Sequence, residues 1–148
     1  MTRDEKYMKI ALQQAQKALA SDEVPVGAVI VRDDLIISYG ANQTEKDTDP
    51  TSHAEIIAIR RAAQAVKDWR LDGCELFCTL EPCAMCAGAI IKSRLRRLIF
   101  GAFDPLDGYM GSVMDMSIAP KLAPIEILGG VLVEECSLLL KKYFNSKR

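Results

Sequence analysis

The chain predicts a layered α/β fold in which parallel strands follow an opening hairpin. Two patterns carry that reading: valine-rich runs flanking Asp33-Asp34 near the start, and an alternation of helical and strand-like segments from Ser52 onward. Size supports it, because 148 residues at 49% hydrophobic composition let a single domain bury roughly 68–70% of its unfolded surface. Residues 1–148 are therefore expected to form one domain.

Thr2 and Glu5 make a capping-box pattern ahead of Met8, Ala11, Leu12, Ala15, Ala18 and Leu19 at helical spacing, which predicts an amphipathic helix over 3–20. Val24 to Val31 and Leu35 to Tyr39 predict an antiparallel hairpin. Residues 41–52 are polar, contain Pro50 and are expected as a loop. The helical pattern resumes from Ser52 to about Ala65, with Ile56, Ile59 and Ala63 on one face. Glu75 to Thr79 is strand-like, Cys83 to Lys92 helical and Leu98 to Phe100 strand-like again. Pro105, Gly108, Gly111 and Pro120 make residues 102–123 irregular, and stretches of that length in compact domains are often functional. Ile125 to Leu128 predicts a last strand. Leu132, Cys136, Leu139, Leu140 and Tyr143 mark one face of a closing helix, whose early Glu134 and Glu135 and late Lys141 and Lys142 complement its dipole.

A net charge of −1 excludes no functional class, since a nucleic-acid binder needs only a local basic surface. No apolar run approaches the ~18 residues that span a bilayer. The charged start Met1-Thr2-Arg3-Asp4-Glu5-Lys6 leads into no signal-peptide core. With five cysteines, an odd and closely spaced set, these features predict a soluble cytoplasmic protein without a membrane partner. Its thiols are expected to serve metal or redox chemistry rather than disulfides.

The chain's single histidine stands in His53-Ala54-Glu55, and Pro82-Cys83-Ala84-Met85-Cys86 follows. Cysteines at i and i+3 in a first helical turn lie on neighbouring positions of one face. Pro82 favours helix initiation there, and the positive helix end favours thiolates. Two thiolates and one imidazole select zinc, and three protein ligands leave a fourth position for water. Plainer roles are a pair of core cysteines or a thioredoxin-type redox pair; the lone histidine in H-x-E register favours the metal. Cys78 could complete a closed Cys3His site, but only by turning from its strand toward the helix ends. Cys74 and Cys136 are expected as buried, inert thiols. Glu55 has two readings. Ser52-x-x-Glu55 is a capping box, whereas a catalytic Glu55 requires the end of the helix, not its side, to face the metal.

At the H-x-E and P-C-x-x-C residues the chain resembles the cytidine-deaminase-like superfamily. Flanking blocks make it most similar to the bacterial tRNA-specific adenosine deaminases over nearly its whole length. They are Glu23-Val24-Pro25-Val26-Gly27-Ala28, Asn42, Asp49-Pro50-Thr51, Trp69-Arg70-Leu71, Thr79-Leu80-Glu81-Pro82, Cys86-Ala87-Gly88-Ala89, Ser93-Arg94, Gly111-Ser112 and Met114-Asp115. The resemblance implies a three-layer α/β/α sandwich around a five-stranded mixed sheet, and a homodimer with active sites near its interface. It implies conversion of the wobble adenosine of a tRNA anticodon stem-loop to inosine, with one zinc per subunit held by His53, Cys83 and Cys86. Glu55 would move protons between the attacking water, ring N1 and the leaving amine.

By the same resemblance Asn42 would hydrogen-bond the flipped base, while Val24, Pro25, Val26 and Ala54 wall the pocket and Asp104 meets the RNA backbone or ribose. Asn42 as a turn residue and Val26 as core strand are the plainer roles. An anticodon loop makes base extrusion cheap. The tail Lys141-Lys142-Tyr143-Phe144-Asn145-Ser146-Lys147-Arg148 interleaves cations with aromatics, and Lys141 and Phe144 are the expected phosphate and stacking contacts. Lys92, Arg94, Arg96 and Arg97 form a second basic cluster. The chain departs from the family pattern at Leu106-Asp107-Gly108-Tyr109 and at Lys121-Leu122-Ala123-Pro124, both in the region assigned to RNA contact. A deaminase of a free base or nucleotide, of guanine or cytosine type, is the alternative and has no need of the basic aromatic tail. A zinc-stabilised RNA-binding module without catalysis is a third.

Overall fold

The computed structural model describes residues 1–118 and 124–147. Helix α1 (Arg3–Ala20) opens on the predicted capping box: the Thr2 hydroxyl accepts from the Glu5 N–H at 3.1 Å, and the Glu5 carboxylate accepts from the Thr2 N–H at 2.9 Å. Strands β1 (Gly27–Arg32) and β2 (Leu35–Ala41) form the antiparallel hairpin. β1 starts later than the apolar run because Pro25 has no N–H to give the ladder. Val24–Val26 instead makes a tight turn, with the Val26 N–H on the Val24 carbonyl at 2.8 Å.

The expected loop over 41–52 holds one helical turn, α2 (Thr44–Asp47). Then follow α3 (Ala54–Val66), β3 (Glu75–Leu80), α4 (Ala84–Lys92), β4 (Arg97–Ala102), a 3-10 turn at Met116–Ile118, β5 (Glu126–Leu128) and α5 (Val133–Ser146). Because α5 runs on to Ser146, Lys141 and Lys142 precede its last turn rather than forming it. Lys121-Leu122-Ala123 and Arg148 lie outside the described residues.

The sheet order is β2-β1-β3-β4-β5; β1 is antiparallel to both neighbours, and β3, β4 and β5 run parallel. Side-chain alternation along the strands divides the core into two layers. Val29, Val31, Phe77 and Ile99 pack with Tyr7, Met8 and Ala11 of α1 and Cys136 of α5. Ala28, Ile30, Leu76, Leu98 and Phe100 pack on the other face with Ala54, Ala58 and Ala62 of α3 and Ala87 and Ile90 of α4. The result is an α/β/α sandwich. Two glycines set the helix approach: a Cβ at Gly27 would strike the backbone of α1 at Ala11, and one at Gly40 would strike the carbonyl of Ala54. The first turn of α3 thus lies directly on β2.

Candidate active site

The N-terminal ends of α3 and α4 converge beyond the carboxyl end of β3. His53 is the N-cap residue of α3 and Cys83 that of α4, and neither side chain caps its own helix. Ser52 is not a cap either, for its hydroxyl donates to Asp47 at 2.9 Å. The capping box open to Glu55 on sequence grounds is therefore not formed. Glu55 sits instead in the first turn of α3, 4% exposed, beside the cap imidazole. The helix end, not its side, faces the cysteines.

His53 Nδ1 lies 3.6 Å from Cys83 Sγ and 3.5 Å from Cys86 Sγ. Bonds of about 2.3 Å to sulfur and about 2.0–2.1 Å to nitrogen at a tetrahedral angle separate N and S by about 3.6 Å, so the three groups fit one zinc ion. Among the described residues this is the only such cluster able to hold a metal. Its charge chemistry agrees: the Cys86 thiol, with His53 assisting, draws Cys83 down to about 4. The same bond, together with burial, pushes Cys86 up. The hydrogen bond to Cys83 raises His53, and burial raises the Glu55 carboxyl. Cys78 stands apart from the cluster, its thiol donating to the Leu80 carbonyl at 3.3 Å. Cys74 and Cys136 are buried, the latter pushed up to about 12 by burial.

A pocket of about 220 Å³ opens beside these groups and is lined by Val24, Val26, Asn42, His53, Ala54, Glu55, Cys83 and Asp104, all anticipated from sequence. Thr44, Leu80, Glu81 and Asp107 complete it. Pro25 is buried between two lining residues without reaching the pocket. Lys141 and Phe144 are exposed on α5, outside it. Asn42 donates to the Val24 carbonyl at 3.3 Å, and its Oδ1 is the one buried side-chain oxygen or nitrogen among the described residues without a partner. Such an orphan acceptor is expected where a ligand supplies the donor.

Glu81, in the Thr79-Leu80-Glu81-Pro82 block, owes its role to contacts distant in the chain. Its carboxylate accepts from the N–H groups of Asp104 at 3.0 Å, Met110 at 3.1 Å and Ser112 at 3.0 Å, and from the Ser112 hydroxyl. Burial pushes this carboxyl up, but those donors outweigh it and hold it below its ordinary value. Asp104 in turn accepts from the N–H groups of Leu106 and Asp107, both at 3.1 Å. Part of the second basic cluster is consumed structurally, with Arg96 and Arg97 each 3.1 Å from Glu75.

An imidazole and two thiolates gathered at helix ends on an α/β/α sandwich define the class of zinc-dependent deaminases, and residues 1–102 match the family model of the cytidine and deoxycytidylate deaminase zinc-binding region. The tRNA-specific adenosine deaminase of Bacillus subtilis is 43% identical over 149 residues, spanning 100% of this chain and 92% of the relative. The chain belongs to the tRNA-specific adenosine deaminase family. A solved structure from work on A-to-I editing by tRNA:A34 deaminases at the wobble position superposes with a TM-score of 0.87 at 40% identity, covering 91% of this chain and 99% of that one. A guanine deaminase from Nitrosomonas europaea gives 0.84 at 26% identity, covering 97% and 85%.

Proposed function

We propose that this enzyme hydrolyses the 6-amino group of the wobble adenosine in a tRNA anticodon, leaving inosine and ammonia. The observation that carries the reading is the shared pocket, lined both by a buried Glu55 carboxyl beside the zinc ligands and by Asn42, whose buried Oδ1 has no partner. Zinc, when bound by His53, Cys83 and Cys86, acidifies water and so supplies the nucleophile. Glu55 would take one proton from the attacking water and deliver it to ring N1, then take the remaining proton from the new C6 oxygen and pass it to the departing amine, so that ammonia leaves as the C6 carbonyl forms. Val24, Val26 and Ala54 offer apolar walls to the base, and Asn42 receives a donor from it. The pocket admits one extruded base, so a flexible anticodon loop suits it.

The enzyme works as a homodimer in the cytoplasm, where thiolate ligands stay reduced. The exposed Val113, Met114 and Ile118 offer apolar surface for such a contact. No helix among the described residues is long and apolar enough to cross a membrane.

The test is inosine formation by zinc-loaded protein on an anticodon stem-loop, run beside free guanine and cytidine. Conversion of the wobble adenosine alone is expected, and activity confined to the free compounds defeats the reading. Glu55→Ala should keep its zinc, read by metal analysis, and lose about 10²–10⁴-fold in kcat. A variant that deaminates at the original rate sinks the role given to Glu55.

A further inference from the structure

Next to the pocket lies a second cavity of about 190 Å³, between the carboxyl end of α1, the end of β2 and α2. Asn42 lines both. Lys17, Lys46 and Arg61 bring three cations to its wall against one carboxylate, Glu23. That carboxylate is already engaged, accepting from the N–H groups of Glu45 at 3.0 Å and Lys46 at 2.7 Å. Among the described residues neither lysine has an ion-pair partner. Arg61 gives one donor to the Tyr39 carbonyl at 2.9 Å and keeps the rest of its fork. Gln14, only 9% exposed, also lines the cavity. Three cations around a cavity whose one carboxylate is already engaged meet the requirements of an anion site.

We infer that this cavity binds a phosphodiester group of the RNA strand beside the deaminated nucleotide. The inference rests on the tRNA reading above and deepens it. Because Asn42 is the common wall, a base seated against one side places its own sugar-phosphate chain at the other. The rim also leads toward the tail of α5, where Lys147 pairs with Asp22 at 2.6 Å, next to the cavity residue Ser21.

The experiment measures binding of a labelled anticodon stem-loop to zinc-loaded Glu55→Ala protein across a salt series, with and without the added pair Lys17→Ala and Lys46→Ala. Both lysines are exposed, so folding should be retained. The pair should raise Kd about tenfold or more and lower the slope of log K against log salt by about 0.7 per cation removed. On the otherwise native enzyme the pair should raise KM and leave kcat unchanged. Lys9→Ala, an exposed α1 lysine outside the cavity, is the control. An unchanged slope in the pair, or an equal effect from Lys9→Ala, overturns the inference. So does inorganic phosphate binding that the pair abolishes while RNA affinity stays intact, since the site then takes a free anion. If native protein deaminates the stem-loop and only the slope fails, the function stands without this subsite. If it deaminates no stem-loop, both fall.

Discussion

Three glutamates are buried around the pocket, and what satisfies each decides what it does. Glu23 is tied to the amides that start α2, and Glu81 to the amides of the loop after β4, whereas Glu55 faces His53 and Cys86. Sequence spacing could nominate Glu55 through its histidine, but the other two owe their roles to amides distant in the chain. Asn42 offers the sharpest test at this scale. Its unpartnered Oδ1 costs the free protein about 1–3 kcal/mol, and its bond to Val24 returns about 1 kcal/mol. Asn42→Ala should therefore leave stability unchanged or raise it by up to about 2 kcal/mol while kcat/KM on the stem-loop falls about 10–100-fold. Denaturant titration and kinetics on one preparation check it, and a large stability loss with normal kinetics would return Asn42 to a turn residue.

Among the elements, helical period locates the long helices and continuous apolar runs locate the strands, because β1, β3 and β4 are buried on both faces and carry no alternation. Ends were less legible. Pro25 delays β1, and Ser52 gives its hydroxyl to Asp47 instead of α3, so that the helix begins at Ala54. The single turn α2 is held by the distant Glu23 and has no period to read. Close backbone contact is similarly invisible in a pattern of apolar residues, yet Gly40 fixes where the first turn of α3 sits. Gly40→Ala should cost about 1–3 kcal/mol by pushing Ala54 outward. Since His53 and Glu55 flank Ala54, zinc retained after dialysis and kcat should both drop. Full zinc retention with a normal rate would show that α3 is not seated by this contact.

Across the whole molecule, β3 carries a buried carboxylate at each end, Glu75 far from the pocket and Glu81 just beyond the strand at its rim. Glu75 is 3% exposed and binds Arg3 at 2.8 Å and Arg97 at 3.1 Å, and Arg97 reaches Asp4 at 2.8 Å, tying α1 to β3 and β4. Burial pushes the Glu75 carboxyl up, but Arg3 and Arg97 prevail and hold it below its ordinary value; Arg97 does the same for Asp4. A lowered folded value means this stabilisation is complete above about pH 5 and drains away as acid protonates the folded carboxylates. Glu75→Gln should lower stability at pH 7 by about 2 kcal/mol and flatten the decline between about pH 5 and 3. Urea titrations at several pH values read both, and parallel declines in the two proteins would remove Glu75 from acid sensitivity. At the other end of the strand, Gly108 has no room for a Cβ against the Glu81 carboxylate, and that carboxylate gathers Asp104, Met110 and Ser112 around itself. The mouth of the pocket is consequently a fixed gauge rather than a closing jaw: selection falls to the substrate, which must arrive with a base already free to leave its stack.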